Sequence, residues 1–419
     1  MMPNARRRRV HDRLAALPGV RRVRRPVTPG ADAHFDLFYV RTGPPGPCPV
    51  VVIPGGPGVA SVAFYRGLRR HAAALGLDVI MVEHRGVGMS RRDDAGADLP
   101  PEAISVDQVV DDVAAVLDDA GVDKAVIDGT SYGSYVAAGV GVRHPDRVGA
   151  LILDSPVLSA HDNEAVRRAT RALLLDGAGP GAEVLAPKVR TLVERGVMTP
   201  AAGEVASIVY GLGGVELLRR QLDLLLAGRS LVWRAVTRFG GLSMRHAPYR
   251  HEMDLVGRIA FRELDYIGEP DGLPLDPAVV MLELARRLPG PTPAFESEPY
   301  DLVAEMPRFD WPTVVLSGGR DLVTPPRVAE RVAELIPGAV LVRLPTAAHS
   351  VLDTRERAAL TIISAVVRGE TAALAGRGGE LDAVPGNRIL RLLVAAMSVA
   401  AAVEGALPLP RSRPRPRPS

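Results

Sequence analysis

The feature that most constrains this chain is an alternation that breaks off and then resumes. Short apolar runs rich in β-branched residues alternate with helix-patterned segments over residues 35–155 and again over residues 312–369, and no such runs occur between them. That alternation is the pattern of a mostly parallel sheet flanked by helices. The first stretch holds predicted strands at 35–40, 49–53, 79–83, 124–127 and 150–153. It also holds a predicted helix at 105–119, with Ser105 as N-cap and Val106, Val109, Val110, Val113 and Val116 at helical spacing. The second holds predicted strands at 313–316 and 340–344 and predicted helices at 327–336 and 354–367. Residues 156–306 read as helical segments broken by Gly and Pro. Because strands resume beyond them as though one sheet had been interrupted, they are predicted to be a helical cap. Such a cap grows from one loop at the C-terminal edge of the sheet, where open α/β sheets bind ligands. The alternative is an independent second domain.

The expected organisation is a basic N-terminal segment at 1–30, an α/β core at 31–155 and 307–370, the cap at 156–306, and a C-terminal extension at 371–419 ending in a disordered Arg/Pro tail. With 47% hydrophobic and 24% charged residues, the chain has the balance of a soluble globular protein. Its net charge of +3 is small, and the arginines gather at the two ends: Arg6 to Arg9, Arg21, Arg22, Arg24 and Arg25, then the alternation with proline from Arg411 onward. No aromatic residues are interleaved to stack on bases, so both ends are expected to be solvated, with no nucleic-acid partner. Cys48 is the only cysteine, which excludes an intrachain disulfide. His11, Asp12, Arg13 and Pro18 stand where the apolar core of a signal peptide would lie. The longest apolar run, 392–403, is too short to span a bilayer and ends at Glu404, so a docked amphipathic helix is expected there. The expectation is a cytoplasmic protein with no membrane partner.

Chemistry concentrates in Gly129-Thr130-Ser131-Tyr132-Gly133, which follows the apolar residues Ala125, Val126 and Ile127 and precedes a predicted helix at 135–142. A hydroxyl nucleophile must be lifted clear of the backbone, and a strand-turn-helix elbow does so only if there is room two residues away on either side. Gly129 and Gly133 give that room, making Ser131 the candidate nucleophile. Acid and base should follow it in chain order. Of nine histidines only His349 lies beyond His251, just after a predicted strand, and it is the candidate base. Asp321, just after the strand at 313–316, is the candidate acid; Asp154, at the end of the preceding strand, competes with it. Asp353 reads as a surface or capping residue. The N–H of Tyr132 is one candidate donor to a developing oxyanion, and Pro54-Gly55-Gly56-Pro57-Gly58, directly after the strand at 49–53, offers the second.

Two of these strings carry a resemblance. Pro54 to Gly58 resembles the HGGPG loop of the proline iminopeptidase group of α/β hydrolases, and Glu83-His84-Arg85-Gly86-Val87-Gly88-Met89-Ser90 is similar to its D-Q-R-G-x-G-x-S segment. Ser131, Asp321 and His349 fall in that family's order. The resemblance covers about 35–155 and 312–369. It implies the α/β hydrolase fold, a mostly parallel sheet flanked by helices with an inserted helical cap. It also implies a serine hydrolase working through an acyl-enzyme without metal or cofactor, with an oxyanion hole from Tyr132 and Gly56, or Gly55. The substrate implied is a small molecule or short peptide that yields its N-terminal proline or another small residue. The chain departs from the family at Pro54, which replaces a histidine, and at Glu83-His84, which replaces Asp-Gln. Relatives bind the substrate's free amine with carboxylates and aromatics of the cap; here Glu252 and Glu263, with Asp254 and Asp265, are candidates by composition only. Two further expectations stand beside the aminopeptidase: a carboxylesterase or lactonase on the same three residues, and a non-catalytic protein that binds a ligand in the hydrolase pocket.

Overall fold

Val50–Ile53 and Val79–Val82 are continuous runs of apolar residues, and every residue in them is buried. Strands covered on both faces must read this way. In the computed structural model, which describes residues 4–243 and 247–407, they lie inside an eight-stranded sheet. Its strands are β1 (Val20–Pro26), β2 (His34–Thr42), β3 (Val50–Ile53), β4 (Val79–Val82), β5 (Ala125–Thr130), β6 (Val148–Asp154), β7 (Thr313–Gly318) and β8 (Val340–Leu344), in the order β1-β2-β4-β3-β5-β6-β7-β8. The first two pairings, β1 with β2 and β2 with β4, are antiparallel, and the rest are parallel.

Helices cover both faces. The chain-ordered helices that matter here are α1 (Asn4–Ala15), α2 (Arg66–Ala74), α3 (Val106–Asp119) and α4 (Tyr132–Arg143). After them come α5 (Asp162–Arg171), α6 (Ala186–Glu194), α7 (Pro200–Leu226), α8 (Leu231–Ser243), α9 (Met253–Arg262), α10 (Pro277–Ala285), α11 (Pro326–Leu335), α12 (Glu356–Val367) and α13 (Arg388–Ala406). Side chains alternate across the sheet, as a two-residue period requires. Val51, Ile127 and Leu151 pack with α3, α4 and α11, whereas Val52, Val126 and Ile152 pack with α2 and α12. Ser105 caps α3 by accepting the N–H of Gln108.

The helical stretch leaves the sheet after β6 and returns at β7, although these strands are parallel neighbours with Leu151 opposite Thr313. It has its own apolar cluster, including Leu174, Leu185, Val209, Leu218 and Leu222. It also rests on the loops at the sheet's C-terminal strand ends. Glu252 N–H donates to the Gly58 carbonyl at 2.8 Å, Ala60 N–H to the Arg250 carbonyl at 3.0 Å, and Gly211 lies against Ala348.

The N-terminal segment differs from the solvated tail expected of it. Residues 4–15 form α1 and residues 20–26 form the edge strand β1, in full register with β2. Its arginines meet acids: Arg22 and Arg24 bind Asp36, Arg24 also binds Asp94, and Arg25 reaches the buried Asp112 beside Arg85. Arg7 is itself buried, its guanidinium on Glu252 and the Gly88 carbonyl and over the Tyr249 ring. At the other end α13 extends beyond the apolar stretch 392–403 in both directions. By length and composition it and α7 are the two described helices apolar enough to cross a membrane, α7 being half buried and α13 mostly exposed. The Arg/Pro alternation from Arg411 lies outside the described residues.

Candidate active site

Ser131 sits between β5 and α4 at φ 52°, ψ −125°, a left-handed conformation that costs a serine about 1–3 kcal/mol and persists only when its surroundings enforce it. They do so by close approach. A Cβ on Gly129 would lie 2.1 Å from the Gly133 carbonyl oxygen, and one on Gly133 would lie 2.1 Å from that of Ile53. The elbow is pinned by the Ser131 N–H on the Asp154 carbonyl (2.9 Å) and by the Ser134 hydroxyl on the Ser131 carbonyl (2.6 Å).

From the elbow a hydrogen-bonded chain crosses three strand ends. Ser131 Oγ is 2.9 Å from His349 Nε2, and His349 Nδ1 is 2.9 Å from Asp321 Oδ2. His349 comes after β8 and Asp321 after β7, so parallel neighbouring strands bring together residues far apart in the sequence. Burial pushes the Asp321 carboxyl up, but the His349 charge and hydrogen bond, with the N–H groups of Thr324 and Val323, hold it below its ordinary value. Burial pulls His349 down; the charge and hydrogen bond of Asp321, aided by Asp154 and Asp353, outweigh it and raise the imidazole above its ordinary value. The ring's orientation is therefore set by a carboxylate on Nδ1, which leaves Nε2 to accept the Ser131 proton.

Asp154, the competing acid, does not bond to the ring. It accepts the N–H groups of Val351 (3.0 Å) and Leu352 (2.9 Å), the first turn of the short helix Val351–Thr354 directly after His349, and the hydroxyls of Thr130 and Ser155. Burial pushes it up to about 6. Asp353 accepts from Tyr65 and from Ser350, whose Oγ in turn caps the Asp353 N–H, so the capping residue here is Ser350 and Asp353 is its partner. Sequence reading misses Thr324, whose hydroxyl donates to Asp321 at 3.0 Å and lies 3.3 Å from His349 Nδ1. The spacing of Asp321 to Val323 and Thr324, two and three residues on, is that of an Asx turn and is the signal that could have found it.

The Tyr132 N–H opens α4, where backbone donors have no partner within the helix. Gly55 lies close to Ser131: a Cβ there would be 3.1 Å from Ser131 Cβ and 3.7 Å from its Oγ. The corresponding position on Gly56, at φ 132°, faces Gly58 and Val59 instead.

The carboxylates expected by composition to meet a substrate amine have partners within the protein. Glu252 is fully buried, but Arg7 holds one oxygen at 2.8 Å and the Gly88 N–H the other, with Arg91 3.6 Å away. Glu263 accepts the Val106 N–H at 2.8 Å, capping α3, and pairs with Arg262. Asp254 is paired with Arg91 at 2.8 Å. Asp265 accepts the Gly268 N–H in its own turn. The carboxylates of Glu252 and Glu263 are thus occupied by the protein's own donors. Glu83, which stands where the resembled segment has Asp, accepts from Ser61, Val62 and Met89 and is pushed by burial to about 7. His84 is buried, and burial lowers it to about 4, so it is neutral at neutral pH.

A sheet of this order with a serine elbow after β5, an acid after β7 and a histidine after β8 defines the α/β hydrolase fold, and the family model of that fold matches residues 49–179. Among solved structures, the proline iminopeptidase of Mycobacterium smegmatis superposes with a TM-score of 0.50 at 17% identity, covering 84% of this chain and 99% of that one. An N-acyl homoserine lactone degrading enzyme gives a TM-score of 0.45 at 19% identity, covering 80% and 96%. A curated protein from Caulobacter segnis named "Putative carbamate hydrolase RutD" is 36% identical over 75 residues, 18% of this chain. That match spans about a quarter (26%) of the relative's length.

Proposed function

We propose that the chain is a serine hydrolase that cleaves an acyl ester or amide through an acyl-enzyme. The observation that carries this is the Ser131–His349–Asp321 chain, with both contacts at 2.9 Å and the serine held in its strained elbow. In this reading Ser131 Oγ attacks the carbonyl carbon while His349 Nε2 takes its proton. The oxyanion meets the Tyr132 N–H and a second N–H from Gly55 or Gly56. His349 then gives the proton to the leaving group, and a water activated by the same imidazole releases the acid. Asp321 fixes the ring and stabilises its cation.

For the substrate we favour an ester or lactone over the free amine of a peptide. An aminopeptidase needs a carboxylate to meet that amine, and Glu252, Glu263 and Asp254 already bind Arg7, the Val106 N–H and Arg91. The aminopeptidase releasing N-terminal proline is the second reading, favoured by the likeness of the Pro54 to Gly58 loop. The test is a fluorophosphonate probe and then a substrate pair, p-nitrophenyl acetate against proline p-nitroanilide. Labelling of Ser131, and ester turnover that falls by on the order of 10⁶ in Ser131→Ala, are expected. No labelling and no turnover would favour a non-catalytic binding protein; faster cleavage of the anilide would reinstate the aminopeptidase.

A further inference from the structure

Among the described residues, one face of α13 is docked and the opposite face is exposed. Leu393, Val394 and Met397 join the apolar cluster of the helical region, and the buried Glu404 accepts the N–H groups of Leu231 (2.7 Å) and Val232 (2.8 Å) at the start of α8. On the other side Ile389 (80% exposed), Leu392 (62%), Val399 (64%) and Val403 (56%) stand in one stripe, with the exposed Ala396 and Ala400 between them. Their spacing of three, four or seven residues places them on one helical face. The helix carries only Arg388, Arg391 and Glu404 as charges; both arginines lie in its first turn and Glu404 faces inward, so the stripe from Leu392 to Val403 holds no charge. The exposed Leu75 lines the same groove of about 1300 Å³ as Ile389 and Leu392, together with His71, Glu356, Arg357, Arg388 and Arg391.

The charge of the neighbouring C-terminal residues identifies the occupant of this stripe. Residues 408–419 contain Arg411, Arg413, Arg415 and Arg417 and no acidic residue. Apolar side chains beside unbalanced cationic charge complement a surface with an apolar interior and negative headgroups. A second copy of the chain would bury the same stripe but would offer those arginines no acidic partner on it, because the helix's one carboxylate, Glu404, faces inward. Because Glu404 and Met397 tie the inner face to the body, the helix can lie on a bilayer and not pass through it.

We propose that α13, with the arginines after it, is a peripheral anchor that lies in the headgroup layer of an anionic membrane, with Ile389, Leu392, Val399 and Val403 inserted. The anchor does not depend on the hydrolase reading, and either can fail alone. The test is sedimentation of the full chain with vesicles of phosphatidylcholine alone or with phosphatidylserine added. Binding is expected only with phosphatidylserine, weakened by salt and by about fivefold for each of Arg411, Arg413, Arg415 and Arg417 changed to Ala. The double variant Val399→Glu/Val403→Glu, with thermal unfolding unchanged, should not bind; the arginine variants keep the test valid if that protein misfolds. Equal binding to neutral vesicles, no binding, unimpaired binding by either set of variants, or a dimer in light scattering that the double variant dissolves would overturn the proposal.

Discussion

Two buried aspartates end neighbouring parallel strands, Asp154 on β6 and Asp321 three residues past β7, and they do different work. Each collects several hydrogen bonds. Asp321 faces the His349 ring and is held below its ordinary pKa, whereas Asp154 faces the backbone after His349 and is pushed by burial to about 6. A carboxylate at a strand end thus becomes an acid partner or a loop clamp according to what lies opposite it. One orients the ring; the other holds the segment that carries the ring.

The sharpest way to break this pairing is Asp321→Asn. An amide on Nδ1 stabilises the wrong tautomer and no longer supports the cation, so on the proposed mechanism kcat/KM should fall by on the order of 10⁴, read by ester hydrolysis. A fall of tenfold or less would mean that Asp154 substitutes. The pH profile gives the same information in sign. His349 must be neutral to accept a proton, and its pKa is raised, so wild-type kcat/KM should climb with pH through a midpoint above the ordinary 6.5. In Asp321→Asn the main raising partner is gone, burial remains and only the weaker pull of Asp154 and Asp353 is left, so the residual activity should climb through a lower midpoint.

Asp154→Asn should act on stability more than on chemistry. The amide nitrogen cannot accept the Leu352 N–H or the Thr130 hydroxyl, so about 1–3 kcal/mol is expected to be lost, with at most a tenfold fall in kcat/KM from a looser His349 segment. A raised folded-state pKa means the fold binds the proton more tightly than the unfolded chain does. Stability from this group is therefore fully present below its unfolded value of 3.8 and lost as pH rises through about 6. The wild-type advantage over Asp154→Asn should shrink across that window by up to about 3 kcal/mol in denaturant titrations; an advantage that grows with pH would contradict the assignment.

The division of labour between these aspartates is only half legible in the sequence. Strands β2 to β8 announce themselves as apolar runs, and the glycine-flanked elbow, chain order and position after a strand bring out Ser131, Asp321 and His349 as candidates. The edge strand β1, Val-Arg-Arg-Val-Arg-Arg-Pro, looks like a tail, because its arginines are matched by Asp36, Asp94 and Asp112, which no local pattern connects to it. The cap carboxylates mislead for the same reason. Glu252 meets Arg7 and the Gly88 N–H, and Glu263 meets the Val106 N–H, partners 157 to 245 residues away, so composition cannot separate a free carboxylate from an occupied one. The run 392–403 reads as a docked helix because hydropathy counts apolar residues without showing which face finds a partner.

The smallest effect lies between the two aspartates, at Thr324. Its hydroxyl donates to Asp321 at 3.0 Å, but the Val323 and Thr324 N–H groups, at 2.8 and 2.9 Å, hold the same carboxylate and survive a side-chain change. Thr324→Val preserves shape and removes one of four donors, a loss of about 1 kcal/mol, so kcat/KM should drop about fivefold with KM unchanged. Removing a donor to the carboxylate also makes it more basic and strengthens its hold on the imidazolium, which should move the pH midpoint slightly up, opposite to Asp321→Asn. A midpoint that moved down instead would mean that the hydroxyl's main effect is its oxygen lying 3.3 Å from His349 Nδ1 and favouring the imidazolium, and not its donation to Asp321.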